Sequence, residues 1–255
     1  MILDKLKKDK NEEIISDEDY VSRKEFNKLK RRINAHQYYL NNIYVFYSLE
    51  PTQFLKEIKD LSYGMMEFLG HLCDKHDLTY WLDSDTLLNV ARHGEFMPEN
   101  LDLNMGMLKS DLMKFVEVFK SEMNNTFSDN VAYEFKESPE FFKITFKFND
   151  LEDLLLEVNV FPYDYLDDES MVKDSEDKPF KADILFPLGK MQLDDYSYPV
   201  PCDVYEYLKH RNDDFMFSLS RVPDFDRLNR LRKQPDLFEM LKRYNAMFRS
   251  ANENF

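Results

Sequence analysis

Apolar residues first recur at helical spacing at Phe26, Leu29 and Ile33, behind a Ser22/Glu25 pair that fits a capping box. Pro51 opens a second helix, where Phe54, Leu55, Ile58, Leu61, Met65, Phe68 and Leu72 repeat every three or four residues. So wide a stripe must pack on a core. A short strand is expected at Leu78–Leu82, a helical turn at Thr86–Arg92 and a strand at Leu101–Met105. Ser110 starts a helix carrying Leu112, Phe115, Val116 and Phe119. Val131–Phe135, Phe142–Phe148 and Leu154–Phe161 read as strands, rich in aromatic and β-branched residues. After Pro162 the chain reads as loop-rich to about Asp183, and Pro235 opens a last helix with Leu237, Phe238, Leu241 and Tyr244. This order predicts an α+β fold, with a mostly antiparallel or mixed sheet flanked by helices. It predicts a charged N-terminal helical extension over 1–50 and one domain over 51–255. Regular βαβ alternation, GxGxxG and GxxxxGK[ST] are all absent from the sequence.

Charge narrows the function classes. The net charge of −15 argues against a nonspecific nucleic-acid binder, which needs a basic stripe. The basic run Lys24, Lys28, Lys30, Arg31 and Arg32 is the exception; it suits an acidic partner or the protein's own acidic surface. No apolar run approaches the roughly 18 residues a transmembrane helix needs. The charged start lacks a signal-peptide core, so no secretory leader is expected. Cys73 and Cys202 have neither CxxC nor metal spacing and read as buried free thiols of a reducing compartment, giving an expected cytoplasmic location. Gly is scarce, 5 in 255, although phosphate-cradling loops need it.

Three segments carry more specific information. Residues 80–107 read YWLDSDTLLNVARHGEFMPENLDLNMGM. Leu156–Asp164 reads LEVNVFPYD, and Ala182–Met216 runs from ADILFPLGK through YPVPCDVYEYL to NDDFM. In order and spacing they resemble the LicD family's W-L-D-x-G-T-L-L, V-D-I-F-P-x-D and F-P-L-x-K…V-P-V-P-x-D blocks, and the resemblance covers about residues 53–220. It implies a nucleotidyltransferase fold and a Mg²⁺- or Mn²⁺-dependent phosphotransferase. Such an enzyme moves phosphocholine or a similar phospho-alcohol from a CDP-alcohol donor to a glycan acceptor.

The chemistry explains which residues matter. Phosphoryl transfer needs positioning and charge neutralisation, and hard Mg²⁺ wants carboxylate oxygens. A D-x-D pair on one strand puts both carboxylates on one face, and an Asp on a neighbouring strand completes a cage. Carried over by resemblance, D-x-D falls on Asp102 and Asn104, and the third Asp on Asn159. These are the catalytic and metal candidates; Glu157, two residues before Asn159 on the same strand face, is a further metal candidate. The family's Gly-Thr turn falls on Asp85 and Thr86; with Ser84 these are candidates for the phosphates, and Arg92 and His93 for phosphate or acceptor. Further departures are Asn89 for Gly, Glu99 for Trp, and Asn100 and Leu101 for an acidic run. Two readings stay open: a transferase with a weakened metal site, or a pseudoenzyme that binds or scaffolds, with a protein partner.

Overall fold

The structure is a computed structural model that describes residues 24–34, 53–97, 101–127, 130–138, 140–166, 170–193, 195–212, 215 and 225–255. The expectations for Ser22, Pro51, Pro98–Asn100, Asp213, Asp214 and Met216 lie outside the described residues. The chain divides into two units, Met1–Ile43 and Tyr44–Phe255. In the first, helix α1 spans 24–34, with Phe26, Leu29 and Ile33 all exposed.

The second unit is built on a sheet. Helix α2 (Gln53–Lys75) leads to β1 (Tyr80–Leu82), α3 (Ser84–His93), β2 (Asp102–Leu108) and α4 (Lys109–Thr126). Then come β3 (Val131–Glu137), β4 (Phe142–Phe148) and β5 (Leu151–Tyr165). The main strand order is β1-β2-β5-β4-β3. Only β2 and β5 run parallel; the other neighbours are antiparallel, so the sheet is mixed as expected.

The two faces of this sheet differ in kind. Leu103 on β2, Val158 and Leu156 on β5, and Ile144 and Phe146 on β4 are buried together. The stripes of α2 and α4 bury with them, and each fully buried Leu, Phe or Met contributes about 1.5–3 kcal/mol over its exposed state. Helix α8 (Leu237–Asn252) closes the same core, its Phe248 ring 4.7 Å from that of Phe127. The opposite face carries Asp102, Asn104, Lys143, Thr145, Glu157 and Asn159, and it positions the site.

The loop-rich stretch expected after Pro162 also carries short strands. Strand β5 continues to Tyr165, where it pairs with β6 (Met171–Lys173), which pairs in turn with β7 (Pro179–Lys181). Pro162 is tolerated because it lies beyond Val160, the last residue of β5 paired with β4; there it faces Met107 of β2 alone. Short helix α5 (Ala182–Leu185), hairpin β8 (Gly189–Leu193) and β9 (Tyr196–Val200), and helices α6 (Val204–Arg211) and α7 (Phe225–Leu231) complete the unit.

Candidate functional site

Parallel register brings the candidate residues together. Asp102 sits opposite Glu157, and Asn104 opposite Asn159. The antiparallel partner strand adds Thr145 opposite Glu157 and Lys143 opposite Asn159. Two rows thus cross three strands: Asp102–Glu157–Thr145 and Asn104–Asn159–Lys143. A cavity of about 290 Å³ lies over this face, lined by Asp85, Asp102, Asn104, Lys143, Asn159 and the Phe141 and Phe161 rings among others.

The polar atoms here are largely engaged with one another. Asn159 Nδ2 donates to Asn104 Oδ1 at 2.9 Å, and both side chains are buried. Asn159 Oδ1, also buried, has no hydrogen-bond partner. Lys143 Nζ donates to Glu157 Oε2 at 2.7 Å. Burial pushes the Glu157 carboxyl up, but hydrogen bonds with Asp102 and Lys143 outweigh it and hold its pKa below the ordinary range. Asn104 N donates to Thr86 Oγ1 at 2.8 Å, which ties the first turn of α3 to β2.

The start of α3 is held from beneath by residues the sequence reading did not single out as functional. Asp83 is the N-cap, fully buried, and accepts from Ser84 N at 2.6 Å and from the Tyr163 hydroxyl at 2.8 Å. Tyr207 donates to Tyr163 at 2.7 Å, and Trp81 Nε1 to Tyr207 at 3.0 Å. Burial, then the Asp83 charge, pushes both tyrosines above their ordinary pKa. Arg211, at the end of α6, lies 3.8 Å from Asp83, donates to Ser84 Oγ at 3.1 Å and to Asp174 at 3.3 Å, and covers the Phe161 ring. His210 adds a second cation-capable group 3.3 Å from Asp174. Ser84 takes φ 46, a left-handed conformation that these contacts hold in place.

The remaining candidates are separated from the cavity. Arg92 and His93 are exposed in the last turn of α3, two helical turns from Ser84, and the Arg92 guanidinium donates to the Phe215 carbonyl.

Residues 77–203 match the family model "LicD/FKTN/FKRP, nucleotidyltransferase domain". The chain belongs to the LicD family. A Rickettsia typhi protein, RT0683, is 34% identical over 65 residues, 25% of this chain and 21% of that protein. The lipopolysaccharide cholinephosphotransferase LicD of Haemophilus influenzae is 24% identical over 78 residues, 31% of this chain and 29% of that protein. The chain therefore aligns with under a third of each relative's length. A solved structure of the antibiotic-resistance factor ANT(2'')-Ia covers 76% of this chain and 95% of its own at 12% identity, with a TM-score of 0.37. That score is too low to bear on the fold.

The LicD relationship implies a divalent metal, and the donor set here fits one poorly. Asn104 Oδ1 is already an acceptor for Asn159, Asn159 Oδ1 is neutral, and Glu157 is paired with an ammonium. Among the described residues no group of three or more His, Cys, Asp or Glu could hold a metal ion. A unit charge 4 Å from a dication is worth roughly 8 kcal/mol at an effective dielectric near 20, so each carboxylate exchanged for an amide matters.

Proposed function

We propose that this chain is a LicD-fold binding protein in which metal-dependent transfer of a phospho-alcohol has been lost. The observation that carries this reading is the hydrogen bond from Asn159 Nδ2 to Asn104 Oδ1 at 2.9 Å, which engages one amide oxygen at the centre of the expected cage. The ligand classes follow from the relative's name: a lipopolysaccharide-type glycan and a phosphocholine group, bound here rather than joined, with a protein partner as the recipient of the bound state. Cys73, buried, and Cys202, exposed rather than buried as the sequence suggested, are both free, which supports a reducing, cytoplasmic setting. No described helix is long and apolar enough to cross a membrane.

A second reading, the weakened transferase, is favoured by the in-register Asp102–Glu157 carboxyl pair. Calorimetric titration of Mg²⁺ or Mn²⁺, with and without a CDP-alcohol, separates the two. Absence of metal-dependent nucleotide binding at millimolar concentrations is the expected result. Metal-dependent binding that disappears in Asp102→Ala would restore the transferase, with Asp102 as its metal ligand.

A further inference from the structure

We infer that the Lys143 ammonium is a built-in cation that takes the place of a divalent metal in this site, so that the chain's own strand β4 keeps metal out. The inference rests on the metal-free reading above and names the residue responsible for it.

The geometry is specific. Lys143 stands in register with Asn159 and lines the same cavity as Asp102, Asn104 and Asp85. Its Nζ lies 2.7 Å from Glu157 Oε2, and both side chains are about four-fifths buried, at 19% and 20% exposure. Asp102 sits opposite Glu157 on the neighbouring strand. The ammonium therefore sits within a carboxylate cluster that spans β2 and β5, and a metal at those oxygens would face a fixed positive charge in a half-buried setting. Partly buried charges are screened less than exposed ones, so the repulsion between a monovalent and a divalent cation stays substantial there. The Lys143 Nζ also lies 5.9 Å from the centroid of the Phe141 ring, a cation–π distance on the cavity wall. Other lysines of the sheet differ: Lys147, four residues on, pairs with Glu134 where both are exposed, and it does not line the cavity.

The exclusion is testable with Mn²⁺ alone, by electron paramagnetic resonance and calorimetry, on the full chain. Lys143→Met should bind Mn²⁺ at least tenfold tighter than the unaltered protein, because Glu157 and Asp102 are released while the stem's apolar packing is kept. Lys143→Arg retains the charge and should gain nothing, and neither should Lys147→Met, which changes the net charge equally. Adding Glu157→Gln to Lys143→Met should abolish the gain. Circular dichroism and the melting temperature establish that each variant is folded, and Lys143→Gln replaces Lys143→Met if the latter is not. A folded neutral variant without added Mn²⁺ affinity overturns the role of Lys143 while leaving the metal-free reading intact. An equal gain in Lys147→Met overturns it too, as a mere net-charge effect. Tight Mn²⁺ binding by the unaltered protein would overturn both.

Discussion

At the scale of single residues, Arg211 is the one whose environment is most demanding. Its side chain is 13% exposed and faces Asp83, which is fully buried, and Asp174, which is nearly so. Burial disfavours the guanidinium charge, yet the Asp83 charge and the neighbouring tyrosines more than offset this and raise its pKa. Removing one partner of such a network leaves the others charged and uncompensated. Arg211→Met should therefore destabilise the protein by about 3–5 kcal/mol in urea denaturation, far more than the loss of an exposed surface ion pair would. A loss below ~1 kcal/mol would mean that Asp83 and Asp174 find other partners. Because Arg211 also holds Ser84, the variant should loosen the start of α3 over the cavity.

Among the elements, the antiparallel pair β1 and β2 is closely packed. Trp81 pairs with Gly106, and a Cβ at Gly106 would overlap the Trp81 indole. Gly106→Ala must push that ring away from Tyr207, at a cost of about 1–3 kcal/mol from overpacking plus the lost hydrogen bond. Trp81 is the chain's single Trp, so its fluorescence reports the displacement directly; an unshifted spectrum at unchanged stability would contradict the close packing. The elements also show what the sequence disclosed. Helix α2 and strand β4 were legible because Leu61, Met65 and Leu72, or Ile144 and Phe146, repeat at one fixed period over a long run. The three-residue strands β6 and β7 show no period at all, and Pro162 disguised the end of β5, since only the arrangement of its neighbours makes a proline harmless there. The site was half legible. Asp102, Asn104, Glu157 and Asn159 share a face by simple alternation, and the structure does place them together. Lys143 sits on a different strand whose alternation reads as an ordinary solvated face, and nothing local marks it as Glu157's partner. Arg211 lies 127 residues from Ser84, so only the folded chain could pair them. Asp83 did leave a signal, an Asp between an apolar strand and the expected helical turn, and that signal reads equally well as a plain N-cap.

For the whole molecule, pH dependence follows from two opposed effects. The net charge of −15 at pH 7 makes the folded chain repel itself, and titration toward the isoelectric point, about 4.8, relieves this. Stability should hold or rise slightly over that interval. Below it, carboxylates whose folded pKa is depressed begin to cost. Asp174 is the clearest: burial opposes its charge, but His210, the Glu176 and Lys178 backbone N–H groups and Arg211 bring its pKa down to about 2. The unfolded chain holds such a carboxyl near ~3.9, so it binds a proton first as pH falls. The stabilisation from Asp174 is thus fully present above about pH 4 and is lost as the pH falls through about 2. Asp174→Asn keeps an oxygen for the two backbone N–H groups, removes the charge, and turns the oxygen that faces Arg211 and His210 into an NH2 group. The variant should be less stable than the unaltered protein at pH 7, and the difference should shrink steadily between about pH 4 and pH 2, measured as urea midpoints across that range. The positive charge that accumulates in acid affects both proteins alike, so it cancels in the difference. A gap that stays constant down to pH 2 would mean that Asp174 acts through its shape and hydrogen bonds, and that the Arg211–Asp174–His210 cluster contributes no charge-dependent stability to the platform beneath the site.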